Sequence, residues 1–125
     1  VATMLRAVIP GMRERNRGHI VNITSIAALH PLPGQIAYSA SKMALRAMTQ
    51  NLRIELFGKP VRVTEIAPAR VETYFHAHQF SGERAATKRQ LYDGFEPLKP
   101  EDIADAIAYC VGARVSRRHA TTCHR

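Results

Sequence analysis

Two short strand-forming segments with a long helical segment between them constrain this chain most. Residues 20–23 form a short apolar run, and Val61–Ile66 alternates between apolar and polar side chains. Residues 36–57 between them are long enough for several helical turns, and Gly58 and Pro60 follow at the end. Strands separated by a helical segment are typical of parallel sheets with buried strands. This order predicts an α/β fold with a parallel sheet.

Two further helices are predicted on either side of this unit. The first covers residues 1–15, where apolar side chains recur on one helix face at Leu5, Val8, Ile9 and Met12 despite the proline at position 10. The last opens near residue 98, where a proline and two acids stand at its start. In the central helix we expect one row to be buried and another, at about 200° around the axis, to be free for chemistry. These rows are Ala44, Met48, Leu52, Leu56 and Tyr38, Lys42, Arg46.

A candidate proton-transfer group lies at the start of the central helix. Tyr38 and Lys42 are four residues apart and therefore point from the same helical face, and Ser25 follows the first strand. A free phenol is too weak a base at neutral pH, but a neighbouring ammonium favours its ionised form. Ser25 can donate to a substrate oxygen. The structural alternative is an ordinary aromatic residue, a solvated surface lysine and a serine that caps a helix.

The blocks around these residues resemble the short-chain dehydrogenase/reductase family in motif, order and spacing. They are G-H-I-V-N-I-T-S-I-A-A at 18–28, P-G-Q-I-A-Y-S-A-S-K-M-A-L at 33–45 and V-R-V-T-E-I-A-P-A-R-V-E-T at 61–73. Within the family, the sequence looks most like the NADP-dependent 3-hydroxy acid (serine-type) dehydrogenases. The resemblance implies the C-terminal part of a Rossmann-type doubly wound parallel sheet, with two strands and at least three helices.

The resemblance also implies an activity and a set of functional residues. The activity is hydride transfer between a nicotinamide cofactor, NADP with NAD as the alternative, and a secondary alcohol or carbonyl, with a 3-hydroxy acid as the narrower expectation. Ser25 would orient the carbonyl, Tyr38 would transfer the proton, and Lys42 would assist Tyr38 and bond the nicotinamide ribose. Val71 would offer its backbone to the carboxamide, and Thr73 its hydroxyl to the cofactor, although Thr73 can equally be read as a helix cap. A homo-oligomer would form through helices 1–15 and 36–57.

The sequence departs from the family pattern at several places. Ala69 stands where the family has a glycine, and no glycine-rich phosphate-binding turn occurs in these residues. We therefore interpret residues 1–112 as the C-terminal half of a dehydrogenase domain and residues 113–125 as a basic, disordered tail. The alternative function is that of a catalytically incompetent fragment that acts by associating with an intact homologue. The polar segment 74–95 corresponds to the family's substrate lid, and Arg70, Arg84 and Arg89 are candidates for binding a substrate carboxylate.

Composition argues against several other classes of protein. The formal net charge of +8 is concentrated in the tail and on helix faces, without the interleaved aromatic residues that stack on bases, so we expect no nucleic-acid partner. No run approaches the length of a membrane span. Two cysteines make no disulfide framework, which favours a cytoplasmic protein, and Cys123 with its neighbouring histidines matches no common zinc spacing. We therefore expect no metal.

Overall fold

The computed structural model describes residues 1–73, 94 and 96–113. Helix α1 spans Ala2–Glu14, strand β1 spans Gly18–Ile23, and a 3-10 helix spans Ile26–Ala28. Helix α2 spans Ile36–Glu55, strand β2 spans Val61–Ile66, and helix α3 spans Pro100–Gly112. The predicted α/β class, with two strands and three helices, is confirmed within these residues. The predicted lid at 74–95, apart from residue 94, and the tail beyond residue 113 lie outside the described residues.

The sheet consists of β1 and β2, which pair in parallel with Gly18 opposite Val61 and Ile23 opposite Ile66. Parallel neighbours require a crossover connection, and α2 supplies it. The amide of Thr24, just beyond β1, donates to the carbonyl of Ile66 over 2.8 Å. The carbonyl of Ile23 belongs to the same planar trans peptide as this amide and points the opposite way, so it is directed away from β2.

The hydrophobic core lies between α1, α2 and one face of the sheet. Its buried members come from all four elements: Leu5, Ile20, Leu52, Leu56, Val61 and Val63. Ile9 and Met12 of α1 pack against this cluster. The backbone of Gly18 passes so close to α1 that a β-carbon placed there would lie 2.6 Å from Cγ of Met12. Glycine at the start of β1 thus allows α1 to approach the sheet closely.

The predicted buried row of α2 is wrong in part. Leu52 and Leu56 are buried, but Ala44 is exposed and Met48 only half-buried, whereas Leu45 and Thr49 are buried. The buried face of α2 is therefore shifted by about one residue from the predicted row. Leu45 and Thr49 pack toward the strands, while Met48 lines a groove beside α1. Between β1 and α2, Ser25 caps the 3-10 helix at Ile26–Ala28.

Helix α3 is held at both ends by hydrogen bonds. At its start, the Asp102 carboxylate accepts the backbone amide of Lys99 over 2.7 Å. At its end, the Arg62 guanidinium of β2 donates to the carbonyls of Cys110, Val111 and Ala113, over 3.1–3.3 Å. These bonds satisfy carbonyls that a helix end leaves without intrahelical donors. None of the helices in the described ranges is long and apolar enough to cross a membrane.

Candidate active site

The predicted site residues lie where the two strands end. Ser25 follows β1 by two residues, and Val71 follows β2 by five. The amide of Ile26 donates to the carbonyl of Pro68 over 2.9 Å, which ties the two post-strand segments together. In open parallel sheets this carboxyl edge is where ligands bind.

Ser25 is 6% exposed and caps the 3-10 helix, where its Oγ accepts the backbone amide of Ala27 over 3.2 Å. This is the capping role that the sequence left open as an alternative. A hydroxyl has two acceptor lone pairs and one proton. Accepting from Ala27 therefore fixes the position of the oxygen and leaves the proton available for donation to a ligand.

Lys42 is anchored rather than solvated. Its Nζ donates to the carbonyl of Ile23 over 3.1 Å and lies 5.7 Å from the centroid of the Tyr38 ring. The carbonyl of Ile23 can accept this bond because it points away from β2. The Lys42 ammonium is thereby held at the end of β1, beside the Tyr38 ring. Its partner Ile23 precedes Ser25 by two residues. Lys42 is therefore half-buried and hydrogen-bonded to the end of β1.

Tyr38 stands in the first turn of α2 and is half-buried. Helix α2 packs against the 3-10 helix that Ser25 caps. The predicted i, i+4 relation of Tyr38 and Lys42 is confirmed, since both lie within one continuous helix. The Lys42–Ile23 bond and the packing of α2 on the 3-10 helix therefore bring Tyr38 and Lys42 to the carboxyl end of β1, where Ser25 follows Ile23 by two residues.

Val71 and Thr73 occupy the segment after β2. Val71 forms an isolated parallel bridge with Leu98, in which Glu72 donates to the Leu98 carbonyl and Leu98 donates to the Arg70 carbonyl. In such a bridge the peptide groups of Val71 itself point away from Leu98, toward the opposite side. Thr73 is exposed two residues later. Its predicted capping role concerns residues outside the described ranges. Arg84 and Arg89 also lie outside them.

A buried polar cluster behind the site was not anticipated from the sequence. Glu65 of β2 is 1% exposed, and its Oε1 accepts from Arg46 Nη1 over 3.0 Å and from Thr24 Oγ1 over 2.9 Å. Sequence patterning placed Arg46 on a face free for chemistry, yet it forms an ion pair with the sheet. A carboxylate within a strand predicted to be interior was the available signal, because a buried charge requires a partner.

His19, an ionisable side chain with a shifted pKa, lies away from this edge. Burial lowers the pKa of His19, and the positive charge of Arg62 lowers it further. His19 is the second residue of β1, near the amino ends of the strands, and its Nε2 lies 2.8 Å from Thr64 Oγ1. Across the described ranges, no three His, Cys, Asp or Glu side chains are grouped as metal ligands.

Comparison with known proteins identifies relatives that match most of this chain. The family model for short chain dehydrogenases matches residues 1–84. The chain is 45% identical over 105 residues to an NADP-dependent 3-hydroxy acid dehydrogenase of Salmonella typhi, covering 83% of this chain and 42% of that protein. It is 42% identical over 104 residues to an uncharacterized oxidoreductase of Mycobacterium tuberculosis, with 83% and 41% covered. The chain thus spans less than half the length of the curated relatives it matches.

The solved structures that this chain resembles are also dehydrogenases. The closed form of a serine dehydrogenase complexed with NADP+ matches with a TM-score of 0.78 at 40% identity, over 89% of this chain and 45% of that chain. A 4-hydroxyisoleucine dehydrogenase complexed with NADH matches with a TM-score of 0.73 at 28% identity, over 88% and 46%. The predicted Rossmann-type fold and the resemblance to 3-hydroxy acid dehydrogenases are confirmed. The chain belongs to the short-chain dehydrogenase family.

Proposed function

We propose that the protein containing this chain transfers hydride between a nicotinamide cofactor and a secondary alcohol or carbonyl, specifically the hydroxyl of a small 3-hydroxy acid or the carbonyl of the corresponding 3-oxo acid. The observation that carries the proposal is the anchoring of Lys42 on the Ile23 carbonyl, beside Tyr38 and close to Ser25. In this proposal Tyr38 would act as the acid/base group, Lys42 as a cation and Ser25 as a neutral donor at one edge of the sheet. We propose the cytoplasm as its location, since Cys110 is a free thiol.

The residues at this edge fit a nicotinamide nucleotide. Lys42 and Tyr38 would hold its ribose, the outward peptide groups of Val71 its carboxamide, and Thr73 a further polar group. The fit rests on the Val71–Leu98 bridge, which leaves the Val71 peptide directed away from Leu98. When bound, the nicotinamide supplies the hydride donor or acceptor. We propose NADP because the Salmonella typhi relative is named NADP-dependent. NAD remains the alternative, because a 4-hydroxyisoleucine dehydrogenase is seen with NADH.

The proposed chemistry assigns one task to each side chain. In the oxidation direction, Tyr38 takes the proton from the substrate hydroxyl, and in the reduction direction it returns a proton to the carbonyl oxygen. Lys42 would hold its positive charge beside the Tyr38 ring and bond the nicotinamide ribose. Ser25 donates its hydroxyl proton as a hydrogen bond to the same substrate oxygen and stabilises negative charge that develops there. The cap from Ala27 keeps the Ser25 oxygen in place for this contact.

The test is Tyr38→Phe in the protein that contains this chain. The measurement is NADPH formation or consumption with a panel of 3-hydroxy acids and their oxo acids. Loss of the acid/base group should lower kcat by about 10²–10⁴-fold while the circular dichroism spectrum is unchanged. The matched control is Tyr109→Phe on α3, where the tyrosine is 75% exposed and far from the strand ends in sequence. Turnover retained by Tyr38→Phe would reject the assignment.

The outer surfaces of α1 and α2 support a homo-oligomer formed through residues 1–15 and 36–57. Met4 and Ile54 are 70% and 74% exposed, and a groove between the helices is lined by Leu5, Ile9 and Met48. Exposed apolar surface of this kind is characteristic of interfaces. Analytical ultracentrifugation of the protein and of Met4→Glu tests this. A mass equal to that of one chain for the parent protein would contradict it.

The same surfaces would serve the alternative function, in which the chain is non-catalytic and associates with an intact homologue. Titration of the purified 125-residue chain with NADPH, followed by fluorescence, separates the two functions. Saturable binding is the result expected of a nicotinamide site and contradicts the non-catalytic alternative. Absence of binding together with co-purification of a homologue supports that alternative.

A further inference from the structure

Glu65 is a fully buried carboxylate that the proposed proton transfer does not use. One of its oxygens, Oε1, accepts from two different elements: from Arg46 of α2 over 3.0 Å and from Thr24, just beyond β1, over 2.9 Å. The other, Oε2, is buried and has no hydrogen-bond partner among the described residues. Burying a carboxylate is costly unless it is paired and hydrogen-bonded, so its two bonds hold Arg46 and Thr24 at fixed places beside it.

The bond from Thr24 to Glu65 fixes the end of β1. Thr24 is 2% exposed and stands between Ile23, whose carbonyl holds Lys42, and Ser25. Its backbone amide donates to the carbonyl of Ile66 over 2.8 Å, and its hydroxyl contacts the same carbonyl over 3.3 Å and the Glu65 carboxylate. Residues 23–25, which present the Ile23 carbonyl and the Ser25 hydroxyl, are therefore attached to β2 through Thr24.

The bond from Arg46 to Glu65 fixes α2. Arg46 follows Lys42 by four residues and Tyr38 by eight, so the three side chains lie along one side of the helix. Holding the Arg46 guanidinium against the sheet sets the rotation and the height of this side of α2. A carboxylate accepts such a donor strongly because both groups are charged.

We propose that Glu65 is a positioning residue that sets the separation between Ser25 at the end of β1 and the Tyr38–Lys42 pair on α2. A single carboxylate oxygen links the strand end to the helix, so the donor and the acid/base group are held at one spacing through it. This inference rests on the proposed function, because the spacing matters for turnover only if the three side chains act on one substrate oxygen. Displacements of about 1 Å at such a site cost about 100-fold in rate.

The test removes the link without removing the charge. Thr24→Val deletes the hydroxyl at nearly constant shape, whereas Thr24→Ser keeps it. Thr49→Val is the matched control: Thr49 is likewise buried, and its hydroxyl accepts from Asn22 over 2.8 Å, but the bond lies further along α2 from Tyr38. The kcat and KM for NADP and for a 3-hydroxy acid are measured in the protein that contains this chain, with thermal unfolding and crystal structures of each variant.

We expect Thr24→Val to lower kcat by about 10- to 100-fold with both KM values within about twofold, and Thr24→Ser to restore kcat. Thr49→Val should lower the unfolding temperature similarly while kcat stays close to that of the parent. In the Thr24→Val structure the Lys42 Nζ to Ile23 oxygen distance should exceed its present 3.1 Å. Equal kcat in Thr24→Val and Thr49→Val, or an unchanged distance, would overturn the positioning role. Absence of turnover in the parent protein would reject the proposed function, and the distance would still decide whether Glu65 sets the spacing.

Discussion

Replacing Arg46 by methionine should destabilise the protein through a charge that the substitution leaves behind. Methionine can occupy much of the space of the arginine stem, but it offers no donor to Glu65. The Glu65 carboxylate, 1% exposed and already without a partner at Oε2, would then keep only the Thr24 hydroxyl as a donor. Removing one member of a buried ion pair is costly because the remaining charge stays out of water.

The size of the effect follows from burial. Breaking a buried pair costs about 3–5 kcal/mol, and the Arg46 side chain is 21% exposed, so water partly screens the interaction. We therefore expect the lower end, about 3 kcal/mol in the free energy of unfolding. Replacing both partners, in Arg46→Met/Glu65→Leu, removes the buried charge and should return stability to within about 1 kcal/mol of the parent. Thr24 retains its contact with the Ile66 carbonyl in that variant.

Urea unfolding followed by circular dichroism measures these differences. With an m-value of about 1.5 kcal/mol/M, a loss of about 3 kcal/mol lowers the midpoint by about 2 M. If Arg46→Met is unfolded without urea, the double variant still decides, because it should refold. A loss below about 1 kcal/mol in Arg46→Met, or a double variant as unstable as the single one, would refute the reasoning that the pair is buried and coupled.

Three further predictions concern the sheet. Gly18→Ala should cost about 1–3 kcal/mol because its β-carbon would lie 2.6 Å from Met12 Cγ, and Gly18→Ala/Met12→Ala should relieve that overlap; an unaltered urea midpoint in Gly18→Ala would contradict the close approach. The folded-state pKa of His19 lies below its ordinary 6.5, so the unfolded chain binds more protons as the pH falls below that value. The contribution of His19 to stability should therefore be complete above pH 6.5 and fall as the pH falls. Urea titrations at pH 5.5 and 7.5 should show a smaller difference in His19→Gln than in the parent. Arg62→Met should speed amide hydrogen exchange at the end of α3, since three carbonyls lose a donor, whereas Arg6→Met on α1 should not; equal exchange in both would contradict the capping role.

The sequence by itself determined the main elements and the family. The apolar and β-branched residues of the two strand segments, with a long helix between them, predicted a parallel pair, because local patterns report the period of each element. The helix period also placed Tyr38 and Lys42 on one face, since a spacing of four residues is a property of any α-helix. The motif around them identified the family, which the matched relatives confirm.

Only the tertiary structure decided how these elements meet. The period of α2 specifies angles between side chains but not which angle faces the sheet, so Leu45 and Thr49 rather than Ala44 are buried. The Ile23 carbonyl can hold Lys42 because the register of β1 against β2 turns that peptide outward. The bond between Glu65 and Arg46 joins residues 19 positions apart, and such long-range pairs depend on packing that no local pattern records.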